Sequence, residues 1–323
     1  GAASTAILIC KAAEGIRFTD FYMASPVCSP SRGAMMTGCY PRRIGFGSFD
    51  GRWVLFPGQG LGLNPNEKTI ASLLKTRGYA TMIIGKWHCG DQPEFLPTRH
   101  GFDHYYGIPF SNDMGRQLKK DGGIRYYPPL PLLRDELVIQ EQPDQAALTE
   151  RYVEESVKFI RENRERPFFL YLAHMYVHRP VYAPDRFMKQ SNNGNYGAGV
   201  ECVDWATGVV FHELKKLGLD KNTLVIFTSD NGSRGIDSEG CNNRPLRAGK
   251  GTTWEGGQRV PCIMRWPKGI PPGQVCREVV ASLDFLPTFA GLAGAEVPKD
   301  RIIDGRDIST LMSGKPGARS PRE

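Results

Sequence analysis

No stretch of 18 uninterrupted apolar residues occurs in the 323-residue chain, so no segment is long enough to cross a bilayer as a helix. Its opening, GAASTAILICKAAEG, turns from a short apolar run straight to charge, without the cleavage pattern of a secretory leader. There is no CxxC pair: Cys10, Cys28, Cys39, Cys89, Cys202, Cys241, Cys262 and Cys276 lie far apart, too thinly for a disulfide scaffold. Most are expected to be free thiols. The 41 lysines and arginines nowhere form a block, and aromatics are not interleaved with them, which argues against a nucleic-acid surface. A net charge of +7 then reads as a solvated basic surface that suits anionic ligands. Internal repeats and low-complexity segments are also missing.

What is present is an ordinary globular balance, 40% hydrophobic and 23% charged, enough for one large domain. Residues 66–77 (NEKTIASLLKTR) read as a helix capped by Asn66, with Ile70, Leu73 and Leu74 on one face and Gly78 as its stop. A strand-like run, YATMIIGKWH, follows. Leu148–Arg166 repeats the pattern, with Tyr152, Val153, Val157 and Ile160 on one stripe, and PFFLYLAHMYVH follows as a buried strand. A third helix, about 200–217, precedes NTLVIFTSDNG, whose Leu224–Phe227 centre is apolar. Helix then strand, three times, predicts an α/β fold with a mostly parallel sheet covered by helices on both faces. After each apolar run come polar residues: Lys86 and His88, then His178, then Asp230 and Asn231. They should converge at the carboxyl ends of the strands, where open α/β sheets build their sites. Residues 115–145 read as an excursion that either shapes a pocket wall or merely connects.

The stretch SPVCSPSRGAMMTG places Cys28 at or just before a helix N-terminus if Pro30 occupies the first turn, where unpaired N–H groups favour negative charge. Taken alone, Cys28 could equally be an inert buried cysteine. The string CSPSR followed by MMTG resembles the signature of the type I sulfatases, in which that cysteine is converted to Cα-formylglycine. The resemblance continues in family order through GKWH (85–88), HGFDHYYGIPFSND (100–113), HRP (178–180), TSDNG (228–232) and GKGTTWEGG (249–257). Within the family it points towards the arylsulfatase and N-acetylgalactosamine-6-sulfatase branches.

The resemblance implies an alkaline-phosphatase-like fold and a sulfuric ester hydrolase acting on a sulfated carbohydrate or an aryl sulfate. It makes Cys28, as formylglycine, the nucleophile, matured by a formylglycine-generating enzyme. Arg32, one turn on, would hold the hydrated aldehyde or the transferred group. Lys86 and Lys250 resemble the paired sulfate-binding lysines, His88 the polarising partner of the diol, and His178 the acid for the leaving oxygen. Ser111 resembles a substrate-positioning serine. Asp230 and Asn231, with residue 28, resemble ligands of one divalent cation, usually Ca²⁺. His100, His104 and His212 are read as structural. The single N-x-S/T sequon, Asn231-Gly232-Ser233, falls inside a site motif; the lack of others favours a bacterial protein, cytoplasmic or periplasmic, with a lysosomal location open.

Two departures qualify this expectation. The family's first strand ends in adjacent aspartates that complete the cation site, and the chain joins the family pattern only at about Ala12, without that pair. This implies either a segment upstream of Gly1 or a non-catalytic glycan-binding relative, and the intact remainder favours the former. Cys39 stands where the maturation signature usually has arginine. The expected domain is 1–310, with 311–323 beginning a linker to a further subdomain. A phosphodiester or phosphonate monoester hydrolase of the same superfamily is the rival enzymatic reading.

Overall fold

The computed structural model describes residues 5–116, 127–235 and 240–322. In chain order the elements are α1 (Ala6–Ala13), β1 (Ile16–Phe18), β2 (Phe21–Tyr22), α2 (Cys28–Thr37), α3 (Ile70–Lys75), β3 (Ala80–Lys86) and β4 (His104–Ile108). They continue with β5 (Pro131–Arg134), β6 (Leu137–Glu141), α4 (Leu148–Glu162), β7 (Phe168–Ala173), α5 (Asp185–Gln190), α6 (Gly194–Lys216) and β8 (Val225–Thr228). Then follow α7 (Glu255–Gln258), β9 (Cys262–Arg265), β10 (Gln274–Cys276), β11 (Val280–Ala281), α8 (Phe285–Ala293) and α9 (Ser309–Met312).

Strand β3 organises the larger sheet, whose order is β6-β5-β4-β3-β7. All its residues are buried, and its alternate side chains feed two cores. Ala80, Met82 and Ile84 pack with Leu148, Tyr152 and Phe159 of α4. Ile83 packs on the other face with Leu73 and Leu74 of α3 and Leu286 of α8. Helices on both faces are what a continuous apolar strand requires. β3 is parallel to both neighbours, Ile84 facing Tyr106 of β4 and Leu172 of β7. Gly85 has φ +107, and a Cβ there would meet the Ala173 carbonyl oxygen at 2.0 Å. Only glycine allows the close approach that delivers Lys86 to the sheet's carboxyl edge.

The α/β expectation holds, but β8 does not extend this sheet. It pairs antiparallel with β9, Ile226 facing Met264, in a second sheet ordered β10-β1-β9-β8. Apolar periodicity reports burial, not the pairing partner, and β9 lies beyond the three repeated units. The helix expected from Asn66 starts later: Thr69 is the N-cap and forms a capping box with Ser72. Val157 of α4 is only half-buried, and Phe159 takes its place on the buried stripe. The 115–145 excursion contains a β5–β6 hairpin on the sheet's edge, while residues 117–126 lie outside the described residues.

β7 was expected to be buried and is half-buried for most of its length, as is all of β8. Among the described strands each is paired on one side only, and both line one cavity of 2710 Å³. Unpaired strand edges expose alternate backbone amides. Hydrogen exchange should therefore alternate along Phe168–Ala173, with amides bonded to β3 protected and their neighbours fast. Uniform protection would mean that a further strand pairs there.

Candidate functional site

The site forms where the carboxyl ends of β3 and β8 meet the N-terminus of α2. Val27 is the extended N-cap of α2, so Cys28 is its first helical residue and Pro30, without an N–H to satisfy, falls in its first turn. The turn is anchored by Ser29, whose hydroxyl accepts the Leu55 amide at 3.1 Å. Every residue of α2 is buried.

Around the Cys28 Sγ, Lys250 Nζ donates at 3.3 Å and Asn231 Oδ1 lies at 3.5 Å as the acceptor. Asn231 Nδ2 is used on the Gly232 carbonyl, which turns Oδ1 towards the sulfur. Arg32, 5% exposed, donates from Nε to Asp230 Oδ2 at 2.9 Å and from Nη1 to the Lys86 carbonyl at 2.5 Å. Lys86, 1% exposed, donates from Nζ to Ser111 Oγ at 3.1 Å. Ser111 Oγ lies 3.4 Å from His178 Nδ1, and that nitrogen also meets the Arg179 carbonyl at 2.8 Å and Asn112 Oδ1 at 3.2 Å. A carbonyl only accepts, so Nδ1 carries hydrogen and the exchangeable proton belongs to Nε2.

Cationic charge dominates. Burial alone would raise the Asp230 carboxyl, but Arg32, Lys86 and Lys250 hold it well below the usual range. Burial pushes Lys86 down; for Lys250 the contact with Cys28 and the charge of Asp230 outweigh burial and push it up. His178 is driven well below 6.5 by burial and then by the two lysines, and is neutral at rest. Burial and Lys86 do the same to His88.

Cys28, Arg32, Lys86, Ser111, His178, Asp230, Asn231 and Lys250 thus form one connected cluster. His88 is near enough to feel the charges of Lys86, Arg32 and His178, but its hydrogen bond is made elsewhere. Its Nε2 is bonded to the Leu55 carbonyl at 2.9 Å, and its buried Nδ1 has no partner. Its φ of +61 marks the sharp turn by which the chain leaves β3. Two neighbours escaped the sequence reading although both lie in the FSND string: Asn112, which orients His178, and Asp113, 3.8 Å from its Nδ1. His174 also went unremarked; it follows β7 directly, with both ring nitrogens buried and without a partner among the described residues.

The cation expectation meets a poorer fit. Among the described residues no group of three or more His, Cys, Asp or Glu could hold a metal. Asp230 and Asn231 offer three side-chain oxygens where Ca²⁺ takes 6–8, and one of them, Asp230 Oδ2, is already engaged by Arg32. What these residues do fit is an anion: three cationic side chains and a helix N-terminus surround one thiol.

Comparison with known proteins agrees in outline. The Sulfatase family model matches residues 5–295. The N-acetylgalactosamine-6-sulfatase of Rattus norvegicus is 41% identical over 320 residues, covering 94% of this chain and 60% of that protein. Arylsulfatase A of Homo sapiens is 41% identical over 328 residues, covering 97% and 63%. A solved structure, Ps i-CgsB in complex with k-i-k-neocarrahexaose, is 35% identical with a TM-score of 0.83, covering 95% of this chain and 70% of that one. The chain spans 60% to 65% of the length of the first curated relatives it matches.

Proposed function

The chain belongs to the sulfatase family, and we propose that it is a sulfuric ester hydrolase acting on a sulfated carbohydrate or an aryl sulfate, with residue 28 as nucleophile. The observation that carries this reading is the Lys250 ammonium on the Cys28 sulfur at the first residue of a helix, with the buried Lys86 and Arg32 side chains near enough to act electrostatically on the same residue. A sulfate ester needs its sulfuryl oxygens neutralised while a nucleophile attacks sulfur. Lys250, beside the sulfur, and Lys86, beside Ser111, suit two of those oxygens as movable point charges. Arg32 is spent on Asp230 and the Lys86 carbonyl, and so orients the groups around the attacking atom. His178, held through Nδ1, presents Nε2 to protonate the departing alcohol.

The Cys28 thiol stands in for formylglycine, whose hydrated aldehyde supplies two hydroxyls on one carbon, one to attack sulfur and one to expel sulfate. A maturation enzyme that oxidises Cys28 is part of the proposal. The family's divalent cation would find Asp230 and Asn231 here but needs further oxygens, so no step above is routed through it. A bound-saccharide relative such as Ps i-CgsB supports the carbohydrate class. Among the described residues no helix is long and apolar enough to cross a membrane.

Two measurements test the reading together. Mass spectrometry of the Cys28 peptide from active material should show sulfur exchanged for oxygen with loss of two hydrogens. Turnover of 4-nitrophenyl sulfate should exceed that of bis(4-nitrophenyl) phosphate. Preference for the phosphodiester would replace this reading with its rival, and an unmodified thiol in active protein would remove the proposed nucleophile.

A further inference from the structure

Trp53 is the most exposed tryptophan among the described residues, at 72%, and nothing in the cluster above uses it. It is held firmly. On its amino side Phe49 and Arg52 exchange backbone hydrogen bonds of 3.1 and 3.0 Å around Asp50 and Gly51, whose φ values of +52 and +78 make a two-residue turn of the type that joins hairpin strands. Two residues after it, Leu55 is pinned from both directions: its amide by Ser29 in the first turn of α2, its carbonyl by His88. The segment that carries Trp53 is thus tied to the same turn that carries Cys28.

Its ring lies at the mouth of the site. A Cβ on Gly251 would sit 3.6 Å from Cζ3 of Trp53, and Gly251 follows Lys250, whose ammonium touches the Cys28 sulfur. Gly251 also donates its amide to the Pro26 carbonyl, two residues before Cys28. Trp53 lines the same cavity as Lys86, His178 and Lys250. The other strongly exposed tryptophan, Trp254, is covered by the Arg247 guanidinium 3.5 Å above its ring. Among the described residues no ring stacks on Trp53 and no cation covers it.

A large indole left in water beside an anion site costs free energy that a ligand can recover. Resting on the sulfatase reading, we propose that Trp53 is the substrate-positioning platform: its face takes the apolar C–H face of the pyranose ring whose sulfate enters between Lys250 and Lys86. One apolar wall suits a sugar, which has one C–H face and a hydroxyl rim. Polar groups stand at the mouth as well, with Asp113 beside His178 and Asn243 bonded to the Ser233 carbonyl that also accepts the Lys250 amide.

Calorimetric titration of the full chain with Cys28 left as the thiol isolates binding from turnover. The probes are galactose 6-sulfate and inorganic sulfate. The unchanged protein should bind the sugar ester about tenfold more tightly than inorganic sulfate, within the usual worth of a stacked ring. Trp53→Ala should abolish that advantage while the affinity for inorganic sulfate stays the same; Trp53→Tyr should retain most of it. An advantage that survives in Trp53→Ala, or equal weakening of both probes, overturns the platform. If the unchanged protein binds inorganic sulfate but gains nothing from the sugar, the platform fails and the anion site stands. If neither probe binds, the anion-site reading itself fails, and the platform falls with it.

Discussion

Replacing Arg32 with leucine should lower the unfolding free energy by about 3–5 kcal/mol, the usual cost of leaving one partner of a buried ion pair unmatched. The Arg32 side chain is 6% exposed and that of Asp230 20%, so little water is at hand to take over. The leucine would also strand the Lys86 carbonyl, which accepts from Nη1. Lysine at 32 should rescue only part of the loss, because a point charge cannot reach both acceptors as the guanidinium fork does. Asp230→Asn alone should cost less, and the double variant should cost less than the sum, with a coupling of about 1–3 kcal/mol. Urea midpoints at pH 7 measure all four proteins; strict additivity would mean that the pair contributes nothing jointly. The pH dependence has a definite sign. The Asp230 carboxyl is depressed in the folded protein from an ordinary value of 3.8, so its contribution is complete above that value and is lost as pH falls towards the folded one. The Arg32→Leu penalty should therefore be equal at pH 7 and pH 5 and shrink only below about 4.

Much of this site was legible before any coordinates, because the chemistry-bearing residues follow apolar runs. Lys86 ends β3, Asp230 and Asn231 follow β8, and Cys28 opens a helix announced by Pro30; strand and helix ends are where side chains and backbone dipoles can meet a ligand. Less legible was which strand lies beside which. β8 reads like β3 in composition, yet pairs antiparallel with β9, since pairing is decided by tertiary contacts that a period-two pattern does not encode. Trp53 was illegible for a related reason: a single tryptophan between an Asp-Gly turn and an apolar stretch carries no periodic signal. Its place beside Gly251 depends on a contact across some 200 residues of chain. The family cation is accounted for only in part. The oxygens that the resemblance assigned to it are here drawn into a cationic cluster, with Asp230 on Arg32 and Asn231 on Cys28.

In matured protein, His178→Ala should lower kcat about 10²–10⁴-fold for a sulfated sugar but by less than about tenfold for 4-nitrophenyl sulfate. An alkoxide leaves only with a proton, whereas nitrophenolate leaves without help, so the two substrates separate acid catalysis from binding. The neutral resting state of His178 sharpens the expectation. Burial and the two lysines hold its pKa well below 6.5, so few free molecules carry the Nε2 proton at pH 7. A bound sulfate ester places negative charge against Lys86 and Lys250 and offsets the part of the depression that the lysines add to burial, so the His178 pKa is expected to rise on binding. Asn112 and the Arg179 carbonyl meanwhile hold Nδ1 and keep the proton exchange at Nε2. Turnover of the sugar ester should consequently climb as pH falls from 8 towards 5, and that climb should vanish in His178→Ala while 4-nitrophenyl sulfate shows little of it in either protein. Equal losses on both esters would instead make His178 part of the sulfate-binding wall, with the leaving alcohol protonated from elsewhere.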